Sequence, residues 1–186
     1  MNLGLDLGTY QMTELIRSKL NLRVKSKSFM GYTNCVDDLL QSEITNTMDG
    51  CIQHGSVTCL EHSLSVSYYS YILCRLLHLD YRSAARGGLL HDLFLYNWRK
   101  SKLTGGMHSF THPYTALLNA NKYFLLNKME KDIIVKHMWP LTIKLPIYRE
   151  SYVVSFVDKY CAIVEGVKFL RIKMFEYADS SLSEIW

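Results

Sequence analysis

The sequence has few of the residues that mark cross-linked or membrane-embedded proteins. Its five cysteines are odd in number and form no Cys-x-x-Cys pair. A disulfide framework and a cysteine-ligated zinc site are therefore not expected, and we predict reduced, mostly buried thiols. The most apolar stretch, 64–77, is interrupted by serines and by Arg75. It is shorter than the roughly 20 residues that a membrane-spanning helix needs, so we expect no membrane association.

Charge of one sign is also not in large excess. The 186 residues include 21 Lys and Arg and 17 Asp and Glu, a formal net charge of +4. This composition does not by itself indicate a nucleic-acid-binding protein. The first residues carry Asp6 and no basic cluster, which does not match a secretory signal. We therefore expect a cytoplasmic protein.

One local run is strongly basic. Residues 15–28 contain no acid and five basic side chains, namely Arg17, Lys19, Arg23, Lys25 and Lys27. Such a run could contact nucleic acid or another polyanion. The alternative is a solvated helix face, and it is favoured because no aromatic residue is interleaved to stack on bases.

The hydrophobic pattern predicts an all-α fold. With 48% hydrophobic and 20% charged residues the chain can bury a core, and no linker divides residues 1–186. We expect a single-domain helical bundle, and no sustained strand alternation is present. Asn127 followed by Glu130 indicates a helix start, and Pro113 is placed as the first residue of another helix. Apolar residues recur at helical spacing over 12–20, 36–48, 58–77, 82–94, 113–126, 128–137 and 149–177.

The seven histidines are the unusual feature of the composition. Four of them and two aspartates occupy five places along the chain, because one histidine and one aspartate are adjacent. Each place is about one helix and a turn from the next, so antiparallel packing could bring them together. Imidazole and carboxylate without sulfur suit a catalytic divalent metal better than a structural zinc. The ordered set is His62, His91, Asp92, His112, His137 and Asp158.

This order resembles the HD-domain superfamily of metal-dependent phosphohydrolases. The resemblance runs from about Gln53 to Glu165, with helical extensions on either side. It is carried by His62-Ser63 followed by Val66, by Leu89-Leu90-His91-Asp92, by His112-Pro113 with Ala116, by Lys136-His137-Met138 and by Val157-Asp158-Lys159.

The resemblance implies a helical bundle of the HD type and one or two bound divalent ions. Zinc, manganese, iron, magnesium, cobalt and nickel are not distinguished. His62, His91, Asp92 and Asp158 would be the primary ligands. His112 and His137 would hold a second ion or orient a phosphate, and Asp92 would bridge two ions. Asp92, His112 and His137 are accordingly the expected catalytic residues as well as metal ligands.

The expected activity is hydrolysis of a phosphate ester by a metal-activated water. The expected substrate is a small phosphorylated molecule, with a nucleotide as the preferred candidate. Two branches of the superfamily fit poorly. Met138-Trp139-Pro140 replaces the segment that marks cyclic-dinucleotide phosphodiesterases, and Leu93-Phe94 stands where alarmone hydrolases carry an acidic pair. The alternatives are a nuclease or phosphodiesterase that acts on nucleic acid, and a non-catalytic module that binds metal or nucleotide; the oligomeric state is left open.

Further residues are candidates for the surroundings of the site. His54 could face it or be structural, and His108 is expected on a flexible loop. His78 is expected to interact with a helix dipole. Gly87 and Gly88 would let another helix approach closely, so we expect Gly88→Leu to disrupt metal uptake. Arg149 and Lys159 could hold phosphate or be surface cations, and an aromatic platform or core packing are the two interpretations of Phe94, Tyr96, Trp98 and Trp139.

Overall fold

The structure is a computed structural model, and it describes Ser18, residues 27–93 and residues 108–183. The aromatic residues at 94, 96 and 98 lie outside these ranges. Most of the basic run also lies outside them. Of the helix predicted over 12–20, only Ser18 is described, and it is an exposed helical residue.

Helices make up nearly all of the described regular structure, which confirms the all-α prediction. Seven α-helices are described, together with one 3-10 turn and one two-stranded hairpin. In chain order they are α1 (Lys27–Leu40), α2 (Glu43–Asn46), the 3-10 turn (Thr47–Gly50), β1 (Ile52–His54), β2 (Val57–Thr58), α3 (Cys59–Leu76), α4 (Tyr81–Leu90), α5 (His108–Tyr123), α6 (Lys128–Lys136) and α7 (Arg149–Ser183).

The hairpin is an element that the hydrophobic pattern did not predict. Its strands are antiparallel, with Ile52 opposite Thr58 and His54 opposite Val57. Gly55 makes the turn with a φ of 60°, a left-handed conformation that glycine adopts without strain. Strands this short cannot display an alternation of apolar and polar residues, which is why the pattern gave no signal.

Two helical segments differ from the prediction. The segment predicted as one helix over 36–48 is interrupted at Gln41 and Ser42, between α1 and α2. Helix α5 begins at His108, so Pro113 lies inside it and His108 is not on a loop. Pro113 has no N–H to bond the carbonyl four residues earlier, which lies in the first turn, and α5 nevertheless continues past it to Tyr123.

The capping signals explain where the helices of the central bundle begin. Asn127 and Glu130 form the predicted capping box at α6, each accepting from the backbone N–H of the other at 2.9 and 2.8 Å. Thr58 and Glu61 form a second capping box at α3. These reciprocal bonds satisfy N–H groups that have no partner within the helix.

His78 adopts a left-handed backbone conformation at the C-terminal end of α3. Its φ is 55°, and it directly follows the last turn of the helix. The N–H of His78 donates to Arg75 and that of Leu79 to Cys74, which is a Schellman arrangement. The structure therefore places His78 where helices usually carry glycine, and its expected dipole interaction stays a prediction.

Two helices approach α4 closely at its glycines, α3 at Gly88 and α6 at Gly87. A Cβ at Gly88 would lie 3.1 Å from the Cα of Ser67, and one at Gly87 would lie 2.7 Å from the side chain of Ile133. This confirms that both glycines allow another helix to approach. The contact at Gly88 holds the end of α4, three residues before His91, against the backbone of α3.

Two predictions about composition can be compared with the described residues. All five cysteines are free; Cys51 is partly exposed and the other four are buried. This confirms the expectation of reduced, mostly buried thiols. Within 27–93 and 108–183 no helix is long and apolar enough to cross a membrane.

Candidate metal centre

Five helices contribute side chains to one buried cluster. His62 lies in the first turn of α3, His91 and Asp92 directly follow α4, and His137 directly follows α6. His112 comes from the second turn of α5, and Asp158 from the third turn of α7. The structure thus brings together all six residues that the sequence singled out, and each is at most 8% exposed.

Four of the six residues form one half of the cluster. His62 Nε2 lies 3.1 Å from Asp158 Oδ1. His91 Nε2 lies 3.3 Å from Asp92 Oδ2 and 3.7 Å from Asp158 Oδ1. Within this half, His62, His91 and Asp92 are close enough together to hold one cation, and His91 and Asp158 are close enough to share one with His137.

The other half is built on the second oxygen of Asp92. Oδ1 of Asp92 lies 3.3 Å from His112 Nε2 and 3.6 Å from His137 Nε2. The two histidine Nε2 atoms are 2.8 Å apart. Asp92 thus presents one oxygen to each half of the cluster, which is the arrangement that a bridging carboxylate requires.

Backbone carbonyls orient two of the imidazole rings. Nδ1 of His91 bonds to the carbonyl of Gly88, and Nδ1 of His137 bonds to that of Ile134, both at 2.8 Å. A carbonyl only accepts, so each Nδ1 must carry the proton. In a neutral ring the Nε2 lone pair then points at the cluster, which is the form that binds a metal.

The charges within the cluster are strongly coupled. Burial lowers the pKa of His62, but its hydrogen bonds to Asp158 and Glu165 outweigh burial and raise it to about 9. Burial likewise opposes the charged form of His91, and the neighbouring charges of Asp92 and Asp158 raise its pKa to about 10. Without a metal, two protonated imidazoles therefore balance two carboxylates.

The carboxylates and His137 complete this pattern. Burial would raise the pKa of Asp92 and of Asp158, but contacts with the histidines hold both well below the usual range. Burial and the nearby charge of His91 lower the pKa of His137 to about 3. His137 is consequently neutral at physiological pH, so its Nε2 lone pair is not blocked by a proton.

Two buried atoms of the cluster make no hydrogen bond. They are Nε2 of His91 and Oδ1 of Asp92, in side chains that are 0% and 3% exposed. Leaving buried polar atoms without a hydrogen bond costs about 1–3 kcal/mol each. Both point into the cluster, and a divalent cation is a partner that both a lone pair and a carboxylate oxygen accept. The donor set therefore fits a metal ion.

Two residues in contact with the cluster were missed by the sequence analysis. Glu165 Oε2 lies 2.9 Å from Nδ1 of His62, and Gln53 donates to Asp92 Oδ2 at 2.6 Å. Glu165 follows Asp158 by two helical turns on the same face of α7, which is a signal that spacing could have supplied. Gln53 lies on the unpredicted hairpin, so no pattern marked it.

Lys159 is neither a free surface cation nor far from the cluster. Its Nζ donates to Asp158 Oδ2 at 3.1 Å and to the carbonyl of His137. The lysine thereby connects α7 to the end of α6.

The other candidates from the sequence lie elsewhere. Arg149 is exposed at the start of α7, and Trp139 packs edge-on against Tyr152. The side chains of His54 and His108 lie outside the described residues.

Comparison of the chain with protein-family models, with curated proteins and with solved structures found no match. What the structure itself supports is a helical fold with a buried His and Asp cluster that could bind a metal. The resemblance to the HD-domain superfamily stays a prediction.

Proposed function

We propose that the chain is a metal-dependent phosphohydrolase of the HD-domain type, acting on a small phosphorylated metabolite such as a nucleotide. The observation that carries the proposal is the convergence of six His and Asp ligand atoms on one buried place. A structural zinc site would close with four ligands, usually including cysteine. This cluster offers more donors than one tetrahedral ion needs, and none is sulfur.

The residues have distinct roles in this proposal. His62, His91, Asp92 and Asp158 would hold one divalent ion, and Asp92, His112 and His137 a second. Such an ion would lower the pKa of a water and neutralise charge on a phosphoryl oxygen. Asp92 is the residue shared by both groups, so it holds the reacting centre in place.

Where His112 and His137 do not bind a second ion, they would instead supply the proton chemistry beside that centre. Their Nε2 atoms are 2.8 Å apart, and Nδ1 of His137 donates to Ile134. These two hydrogen bonds form together when His112 Nε2 carries a proton and donates to the lone pair of His137 Nε2. His112 can therefore donate to a phosphoryl oxygen, while the low pKa of His137 keeps that ring an acceptor.

The experiment compares Asp92→Ala with the native chain on a panel of phosphate esters, after loading with each candidate divalent metal in turn. We expect hydrolysis of at least one ester, and a loss of at least about 100-fold in Asp92→Ala. Asp132→Asn is the matched control, because Asp132 is a buried carboxylate that bonds to Ile147 and Ser151 and not to the cluster.

Two outcomes would contradict the proposal. If Asp92→Ala keeps full activity, the cluster is not the reacting centre. If the native chain binds metal and nucleotide but hydrolyses nothing on the panel, it is a binding module and not an enzyme.

A further inference from the structure

Helix α7 carries a long apolar face that the described part of the bundle does not cover. Six large side chains on it are each between 54% and 73% exposed. We call them the heptad stripe: Phe156, Tyr160, Ile163, Val167, Leu170 and Met174. As far as Glu165 the opposite face of the helix is buried and includes Asp158 and Cys161, whereas Ile172, further along that face, is 52% exposed. The stripe is therefore not the face by which α7 packs into its own bundle.

The spacing within the stripe is that of a coiled-coil seam. Its members follow one another at alternating steps of four and three residues, the a and d positions of three successive heptads. A helix that only packs on a globular core shows a broader apolar face. The alternation along an exposed face indicates that the partner of this helix is another helix.

The size of the stripe also calls for a partner. Six side chains of this exposure present roughly 700 Å² of accessible surface, close to the ~800 Å² that each partner contributes to a standard interface. The largest apolar patch on a typical monomer is about 300–600 Å².

We propose that the heptad stripe pairs with the same stripe of a second copy of this chain, with the two α7 helices antiparallel. The stripe is self-complementary under a two-fold axis near Glu165. That axis sets Phe156 opposite Met174, Tyr160 opposite Leu170 and Ile163 opposite Val167. Every pair joins an a position to a d position, as antiparallel coiled coils require.

Charge favours this orientation over the parallel one. Lys168, Arg171 and Lys173 are exposed and lie together near the end of the stripe. Parallel pairing would set these three cations beside the same three of the partner. Antiparallel pairing separates the two basic segments to opposite ends of the interface. The inference is independent of the proposed catalytic function, because the stripe and Asp158 lie on opposite faces of α7.

The test is the mass of the full chain in solution, measured by sedimentation equilibrium over a wide range of concentration. We expect a species of twice 21.6 kDa that dissociates on dilution. Ile163→Glu places a charge at each of two symmetric contacts and should raise the dimer dissociation constant at least about 100-fold. Leu118→Glu, at an equally exposed apolar position of α5, should leave it unchanged. Denaturation curves of both variants establish that they are folded.

The orientation is tested by a photo-crosslinking phenylalanine analogue at position 156. We expect an intermolecular link to the segment around Met174 of the second copy. A monomer at all concentrations, a dimer that Ile163→Glu leaves intact, or a link from position 156 to residues 1–26 of the same chain would each overturn the proposal. A link between the two copies of position 156 would overturn the antiparallel arrangement.

Discussion

Two clusters of buried charge in this protein differ in how their polar atoms are satisfied. In the first, Arg86 donates to Glu130 at 2.9 Å, to Asp38 at 2.5 Å and to the carbonyl of Cys35 at 3.3 Å. Glu130 also accepts from the N–H of Asn127. In the second, the His and Asp cluster, Nε2 of His91 and Oδ1 of Asp92 make no hydrogen bond.

The difference separates a structural role from a functional one. The Arg86 cluster joins α1, α4 and α6 and closes its own hydrogen bonds, so it needs nothing from outside the chain. The His and Asp cluster is more deeply buried, yet it leaves a lone pair and a carboxylate oxygen directed at the same place. A cluster that is completely buried but leaves polar atoms without hydrogen bonds is suited to bind a ligand.

The largest expected effect is on the structural cluster. Arg86→Met removes the cation from between Glu130 and Asp38 and leaves the buried Glu130 carboxylate without its charged partner. We expect the free energy of unfolding to fall by about 3–5 kcal/mol. Urea denaturation measures this loss, and Arg82→Met, at an exposed position of the same helix, should change stability little. A loss as small as that of Arg82→Met would show that the cluster does not stabilise the fold.

Removing the metal should affect the other cluster alone. A ligand at about 1,000 times its dissociation constant stabilises the folded state by about 4 kcal/mol. We therefore expect a chelator to lower the melting temperature of the metal-loaded chain, and to leave that of Asp92→Asn unchanged. An equal effect of the chelator on both proteins would contradict the assignment of the metal to this cluster.

Glu165→Gln tests whether the carboxylate that bonds to His62 strengthens metal binding by this candidate ligand. The substitution keeps the side-chain size but removes the charge that holds Nδ1 of His62. We expect a 10- to 100-fold weaker metal affinity, measured by competition with a coloured chelator. Glu150→Gln is the control, because Glu150 is buried on the same helix and bonds to the N–H of Asp80 instead. If both variants bind alike, Glu165 does not support the site.

The smallest effect concerns Asp132, a buried carboxylate that is fully bonded like those of the Arg86 cluster. Burial would raise its pKa, but bonds from Lys136, Ile147 and Ser151 lower it. Its contribution to stability is therefore present above the ordinary carboxyl pKa and is lost as the pH falls through the lowered value. As the pH falls, the free energy of unfolding should decrease less steeply in Asp132→Asn than in the native chain. The two slopes should differ by at most about 1.4 kcal/mol per pH unit. Identical acid profiles would show that Asp132 does not contribute.

The convergence of the six cluster residues was predictable because they fall at five places along the chain, each about one helix and a turn from the next. Order along the chain and helical spacing together carry that information. Glu165 was within reach of the same reasoning, since it shares a helix face with Asp158. Gln53 was not, because its hairpin is too short to show a period, and its contact with Asp92 depends on tertiary packing alone.

The helix boundaries show a similar division. Asn127 and Glu130 marked the start of α6 because a capping box is a local hydrogen-bonded unit. Pro113 misled the prediction at α5, because a proline can occupy either the first position of a helix or one slightly further in. The sequence preference does not distinguish the two positions when the preceding residues can also be helical.

The central claim is that the His and Asp cluster is a metal centre, and metal analysis of the purified chain tests it most directly. The native protein is loaded with each of the six candidate metals, dialysed, and analysed by mass spectrometry of the elements, in parallel with Asp92→Asn and Asp132→Asn. We expect the native chain and Asp132→Asn to retain one or two ions of at least one metal, and Asp92→Asn to retain less. A native chain that retains no more metal than Asp92→Asn, for all six metals, would contradict the account.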